Sequence, residues 1–340
     1  MIYRSKAPLR IGLAGGGTDV SPYSDLYGGA ILNATVNLYA YANIEPLEER
    51  VIILQALDRK EEQRFEWADS LQLDGTLDLL KGVYNRMQKD YHLPATGFRL
   101  STFVDAPAGS GLGTSSTLVV AIIGAFSEML RLPLGEYDMA HLAFEIERKD
   151  LKMAGGRQDQ YAATFGGVNF MEFSGEDKVI VNPLRIKQQY LFELENNLLL
   201  YYTSTSRESA AIIEKQSRNV TDKKEHSIEA MHQLKHQAQR MKEVLLKGKL
   251  HEIGEILDFG FQQKRRMAEG ISNGLMEDIY ESAKKAGATG GKISGAGGGG
   301  FMIFYCPNLT KYAVTEALSK FGGFFKHYQF TDHGLTSWSI

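Results

Sequence analysis

Short blocks of apolar residues punctuate the first half of the chain. Residues 10–13, 38–44, 51–56 and 97–104 are strand-like runs. Thr114–Arg131 is longer and apolar on most sides, which predicts a deeply buried helix. Leu132-Pro133-Leu134-Gly135 ends it. A second helix is expected over 136–153, closed by Gly155-Gly156. The texture then changes. The apolar run Leu198–Tyr202 leads into a polar helical stretch over 206–247, with further helices to about residue 286. Residues 292–294 and 301–305 read as strands around a glycine loop, followed by a helix over 310–321 and a strand over 324–330. No repeat or low-complexity linker marks a boundary. An α+β chain divided near residue 190, into 1–190 and 191–340, is the expectation.

The 340 residues supply enough apolar material for two cores without disulfides or structural metal. A formal charge of −3 carries no basic excess of the kind that duplex-binding proteins show, so nucleic acid is not an expected partner. Lys264-Arg265-Arg266 reads as a solvated helix face. Cys306 is the only cysteine, which excludes internal disulfides and cysteine zinc sites. The amino terminus lacks the apolar core of a signal peptide, and no apolar stretch reaches membrane-spanning length. A cytoplasmic protein without membrane contact is expected, and its assembly could extend to a homodimer.

Glycines gather in three places. Pro107-Ala108-Gly109-Ser110-Gly111-Leu112-Gly113-Thr114-Ser115-Ser116 connects a strand to the buried helix. Such a loop turns backbone N–H groups toward one point, and the helix end adds unsatisfied donors, so an anion site is indicated beyond a simple Ser/Thr cap. No Walker sequence occurs. Gly295–Gly300 satisfies Gly-x-Gly-x-x-Gly, which keeps an NAD-dependent oxidoreductase as a competing class, although that fingerprint must lead into a helix and a strand is expected here. Gly15-Gly16-Gly17-Thr18-Asp19 follows the first strand. Asp19 is either a turn aspartate or an acceptor for sugar hydroxyls. Asp159 alone would be an N-cap of a short helix.

Taken together, in order and across nearly the whole chain, these segments resemble the GHMP kinase family, which includes galactokinase, homoserine kinase and mevalonate kinase. The first motif is similar to Ala7–Leu13 with Gly15–Asp19, the second to Pro107–Ser116, and the third to Lys292–Gly299. The resemblance implies a two-domain fold, with a ribosomal protein S5 domain 2-like N-terminal part and a ferredoxin-like C-terminal part. It also implies ATP and Mg²⁺ as cofactors and a small sugar phosphate as substrate. By position it assigns Asp159, seven residues before Gly166, as the catalytic aspartate, with Arg10 beside it. ATP falls to Pro107, Gly109, Ser110, Gly111, Leu112, Gly113, Thr114, Ser115 and Ser116. Mg²⁺ falls to Ser115 and Glu147, with Glu145 as the fallback. Substrate contacts fall to Gly16, Gly17, Thr18, Asp19, Gly297 and Gly298, with Arg157 as the candidate grip on a substrate phosphate. Where the galactokinase pattern has Gly-Glu-His, this chain has Gly15-Gly16-Gly17. That version resembles the heptose-phosphate kinases of the family, and the fucose kinases share parts of it.

Overall fold

The computed structural model describes residues 1–205 and 209–340; the start of the stretch expected over 206–247 therefore lies outside the described residues. Twelve strands form two sheets among them. The first sheet contains β1 (Tyr3–Ala14), β2 (Gly29–Leu47), β3 (Val51–Ala56), β4 (Glu61–Glu66), β5 (Gly97–Val104), β6 (Val168–Phe173) and β7 (Val179–Pro183). The second contains β8 (Leu198–Tyr202), β9 (Gly290–Ile293), β10 (Phe301–Tyr305) and β11 (Phe324–Phe325), while β12 (Thr336–Ser339) returns to the first. Strand order is β12-β1-β2-β5-β3-β4, with β6 on the early part of β2 and β7 on β6; the second sheet runs β11-β8-β10-β9.

β2 reaches both sides because it is long: residues 40–47 pair with β5, while residues 29–34 pair with β6. The charged, alternating Glu61–Glu66 sits at an edge, where such residues discourage further pairing. β3 and β5 are parallel and need a crossover, supplied by the helix Asp78–Tyr91. The expected buried helix is Thr114–Leu130, packed against β1 and β2 with Val119, Ile122, Ile123 and Phe126 inaccessible. The second sheet is covered by Ile253–Met267, Gly274–Lys285 and Thr310–Leu318. One apolar cluster joins Leu9, Ile11 and Leu32 of the first sheet to Leu200, Leu257, Phe301 and Ile303 of the second part, so the two layers share a core.

The helix expected over 136–153 is shorter. It is α-helical at Glu136–Glu145, and one π-helical turn follows at Ile146–Asp150, where Leu151 N–H donates to the Ile146 carbonyl at 2.9 Å. The strand expected over 324–330 pairs with β8 only at Phe324–Phe325; further on, Gln329 and Phe330 touch Asn37 and Val36 of β2. The tail then runs along β1, and Ile340 and Ile2 exchange backbone hydrogen bonds of 2.8 and 3.1 Å. β10 begins directly at Phe301, so Gly295–Gly300 joins two strands and the dinucleotide fingerprint has no helix to open. The single cysteine, Cys306, lies buried at the end of β10, and burial pushes its thiol up to about 12. No helix among the described residues is long and apolar enough to cross a membrane.

Candidate functional site

The three glycine segments meet at one cavity of about 480 Å³. Gly109, Gly111, Gly113 and Thr114–Ser116 form one wall, Gly17 and Asp19 another, and Gly295 with Ala296 a third. Backbone contacts lock these walls together. Phe301 N–H donates to the Ser110 carbonyl at 2.9 Å, Arg10 N–H to Leu112 at 3.2 Å, and Ser294 Oγ to Gly111 at 2.8 Å.

Arg10 is brought into the cavity by β1 and is only 3% exposed. Its Nε and Nη2 both lie 2.7 Å from Asp159 Oδ1, and its Nη1 donates to the Gly111 carbonyl at 2.6 Å. The guanidinium therefore ties the glycine loop to the carboxylate. Asp159 stands in the first turn of the helix Gln158–Phe165, not at its cap. The capping role belongs to Asp19, whose Oδ2 accepts from the N–H groups of Arg157 (2.8 Å) and Gln158 (3.0 Å). Asp19 is thus more than a turn residue: it fixes the helix end that carries Asp159. Burial pushes its carboxyl above the ordinary range, against the hydrogen bond from Gln158. Gly113 permits the closest approach. Its φ is +79°, and a methyl group there would stand 3.0 Å from Asp159 Cγ.

Glu147 and Glu145 separate clearly. The π-helical turn directs Glu147 inward, 1% exposed, where Gln160 Nε2 donates to it and to Ser116 Oγ. Burial pushes the Glu147 carboxyl up, and Arg148 is the largest opposing influence. Glu145 instead binds Arg86 and Lys149 outside the cavity. No three His, Cys, Asp or Glu side chains cluster as a self-sufficient metal site among the described residues. Mg²⁺ does not need one, since it commonly takes one or two carboxylates and completes its shell with water and substrate phosphates. Glu147 and Ser115 both line the cavity and fit that pattern, and the buried, unpartnered Gln158 Oε1 in the same lining fits a polar occupant.

Several expected contacts fall elsewhere. The Arg157 guanidinium points away from the cavity: it binds the Ser174 carbonyl at 2.8 Å and pairs with Asp25, with Asp177 at 3.6 Å. It is a clamp between β6, the helix Tyr23–Tyr27 and the 175–178 turn, not a grip for substrate. Thr18 is wholly buried, its hydroxyl spent on Gly15 and Ala30. Leu112 belongs to the core, and Pro107 stands outside the cavity lining. Gly297 and Gly298 pack against Ile271, whose carbonyl takes the Gly298 N–H at 2.8 Å; Gly295 and Ala296 are the residues that face the cavity. Gly16 adjoins the site through two lysines.

Those lysines were not expected there. Lys264 is 5% exposed and enters the cavity, donating to the Gly295 carbonyl, while Arg265 pairs with Glu277 at 3.0 Å. The basic run is therefore not a uniformly solvated face. Ile253, Leu257, Phe261, Lys264 and Met267 follow the buried stripe of one helix, which is the signal that marks Lys264 as inward. Lys292 is 6% exposed and donates to the Gly12 carbonyl at 2.8 Å. Burial, the largest cause, and Arg10 lower Lys264 to about 8; Lys292 lies well below its ordinary value through burial and the neighbouring Lys264.

Two family models match the chain: the GHMP kinases N terminal domain over residues 78–167 and the GHMP kinases C terminal over residues 241–323. A relative from Campylobacter jejuni, named D-glycero-alpha-D-manno-heptose 7-phosphate kinase, is 47% identical over 99% of both chains. A crystal structure from Bacteroides thetaiotaomicron, described as a D-glycero-D-manno-heptose 1-phosphate kinase, is 46% identical over 99% of both chains with a TM-score of 0.84. An L-fucokinase/L-fucose-1-P guanylyltransferase from Bacteroides fragilis is 26% identical over 87% of this chain and 34% of that protein.

Proposed function

Because the chain belongs to the GHMP kinases, and is a sugar kinase that uses ATP, we propose that its acceptor is D-glycero-D-manno-heptose 7-phosphate and its product the 1,7-bisphosphate. The observation that carries the reaction is the Arg10–Asp159 pair, set at the mouth of the loop that opens the buried helix. The substrate identity leans on the name of the relative that is 47% identical.

Phosphoryl transfer asks mainly for alignment and charge neutralisation. In this reading the backbone of Gly109–Gly113 and the hydroxyls of Thr114–Ser116 hold the triphosphate against the helix end. Glu147 and Ser115 would hold Mg²⁺, which when bound neutralises charge on the β- and γ-phosphates. Asp159 orients the anomeric hydroxyl and takes its proton as the new O–P bond forms and the bond to the ADP oxygen breaks. Arg10 keeps that carboxylate aimed at the loop and offsets negative charge at the transferring group. Asp19 holds the helix bearing Asp159 and borders the sugar.

The test is ADP release from Mg-ATP with four acceptors: heptose 7-phosphate, heptose 1-phosphate, unphosphorylated heptose and L-fucose. Heptose 7-phosphate should give the highest kcat/KM, with a phosphate newly attached at C1. Preference for the 1-phosphate or for fucose would overturn the substrate assignment.

A further inference from the structure

Among the described residues four cationic side chains line the cavity, and three of them are accounted for. Arg10 is committed to Asp159 and Gly111. Arg148 is bound to the carbonyls of Gly156 and Met153 beside Glu147. Lys152 is on the exposed rim. Lys264 differs: it is buried, it faces the cavity, and it makes no ion pair among the described residues. An ammonium group carries three donors, and the Gly295 carbonyl uses one. Lys292 behind it is similarly placed, with the Gly12 carbonyl its acceptor. A buried cation without a carboxylate is costly unless a ligand completes it. Asp19, whose charge acts on Lys264, already serves two backbone N–H groups.

The position of this charge is informative. A methyl group on Gly16 would stand 3.9 Å from both Lys264 Nζ and Lys292 Nζ. Gly16 stands where the galactokinase pattern carries a bulky polar residue, so the absence of a side chain there leaves the sugar-side loop open toward the lysines. We propose that Lys264, supported by Lys292, receives the non-reacting phosphate of the sugar substrate and selects a phosphosugar over the unphosphorylated sugar. This rests on the sugar-phosphate reading above and replaces Arg157, whose guanidinium is engaged elsewhere.

The experiment compares kcat/KM for heptose 7-phosphate with that for heptose, at saturating Mg-ATP, in the full chain and in Lys264→Met. Removing a charge-assisted contact should lower the phosphosugar preference by about 10- to 100-fold. An unchanged preference, including equal losses on both acceptors, overturns the assignment and places Lys264 on the transferring group or in the fold. A second measurement needs no variant. Among the described residues, Arg10 from β1, Asp19 from the glycine loop, Lys292 from β9, and Asp159 and Glu214 on the cavity wall are charged groups around Lys264. Because burial and Arg10 lower the Lys264 ammonium to about 8, wild-type kcat/KM for the phosphosugar should fall above that pH and level off about 10- to 100-fold lower, as in Lys264→Met, without a matching fall for heptose. Parallel profiles overturn the proposal. Wild-type protein that uses heptose but ignores heptose 7-phosphate refutes the substrate reading instead, so the two failures are distinguishable.

Discussion

Asp159→Asn separates chemistry from architecture. Both Arg10 nitrogens meet the same oxygen, Oδ1, at 2.7 Å, and an asparagine can keep an acceptor there. What disappears is the charge. Breaking a fully buried pair costs about 3–5 kcal/mol, but the Asp159 side chain is 22% exposed and cavity water reaches it, so about 1–2 kcal/mol is the expected loss. Against a total stability of roughly 5–15 kcal/mol, that leaves about 99% or more of the chain folded. Unfolding therefore cannot account for more than a small decrease in rate. Loss of the proton acceptor should lower kcat by about 10²- to 10⁴-fold. The assay is coupled ADP release, with thermal melting and binding of a non-hydrolysable ATP analogue as controls. Turnover within about tenfold of wild type, in a folded variant that binds the analogue, would refute the role. A joint loss of melting temperature and nucleotide binding would refute the separation.

Other outcomes follow from the same geometry. Glu147→Gln should abolish Mg-ATP turnover yet raise the Tm of the ligand-free protein at pH 7. Its carboxyl is raised by burial, so the folded state binds the proton more tightly than the unfolded one and loses stability as pH climbs from the ordinary 4.5 through the raised value. Melting curves from pH 4 to 8 check this, and the gain should vanish toward the acid end. Gly113→Ala should cost roughly 1–2 kcal/mol for its left-handed backbone and push Asp159 aside, lowering kcat by about 10²-fold with a smaller effect on melting. Arg157→Met should lower Tm by removing the clamp on Asp25 and Ser174, roughly 2–4 kcal/mol, while the ratio of phosphosugar to sugar turnover is unchanged.

Much of this was legible in the sequence where periodicity is strong. The buried helix was expected over 114–131 and ends one residue earlier, because its apolar residues leave no polar face to place in water. The strands at 51–56 and 97–104 stand as read. Asp78–Tyr91 went unseen: its inward residues, including the fully buried Lys81, are mixed with polar ones that obscure the period. The three glycine segments converge as their motifs imply, yet local sequence could not say which atoms face the cavity. Arg157 and Lys264 show why. Both are cations on helices or their caps, and only tertiary partners decide that one is spent on Asp25 while the other is left beside Gly295. The π-helical turn is a further case, since no side-chain pattern announced the extra residue that turns Glu147 inward.

The lone thiol offers a practical opening. Cys306 is sealed beneath the second sheet and held in its protonated, unreactive form at neutral pH. A cysteine introduced at the exposed Lys152 would thus be the one group a maleimide dye could find, giving an optical reporter at the entrance without first stripping the native residue.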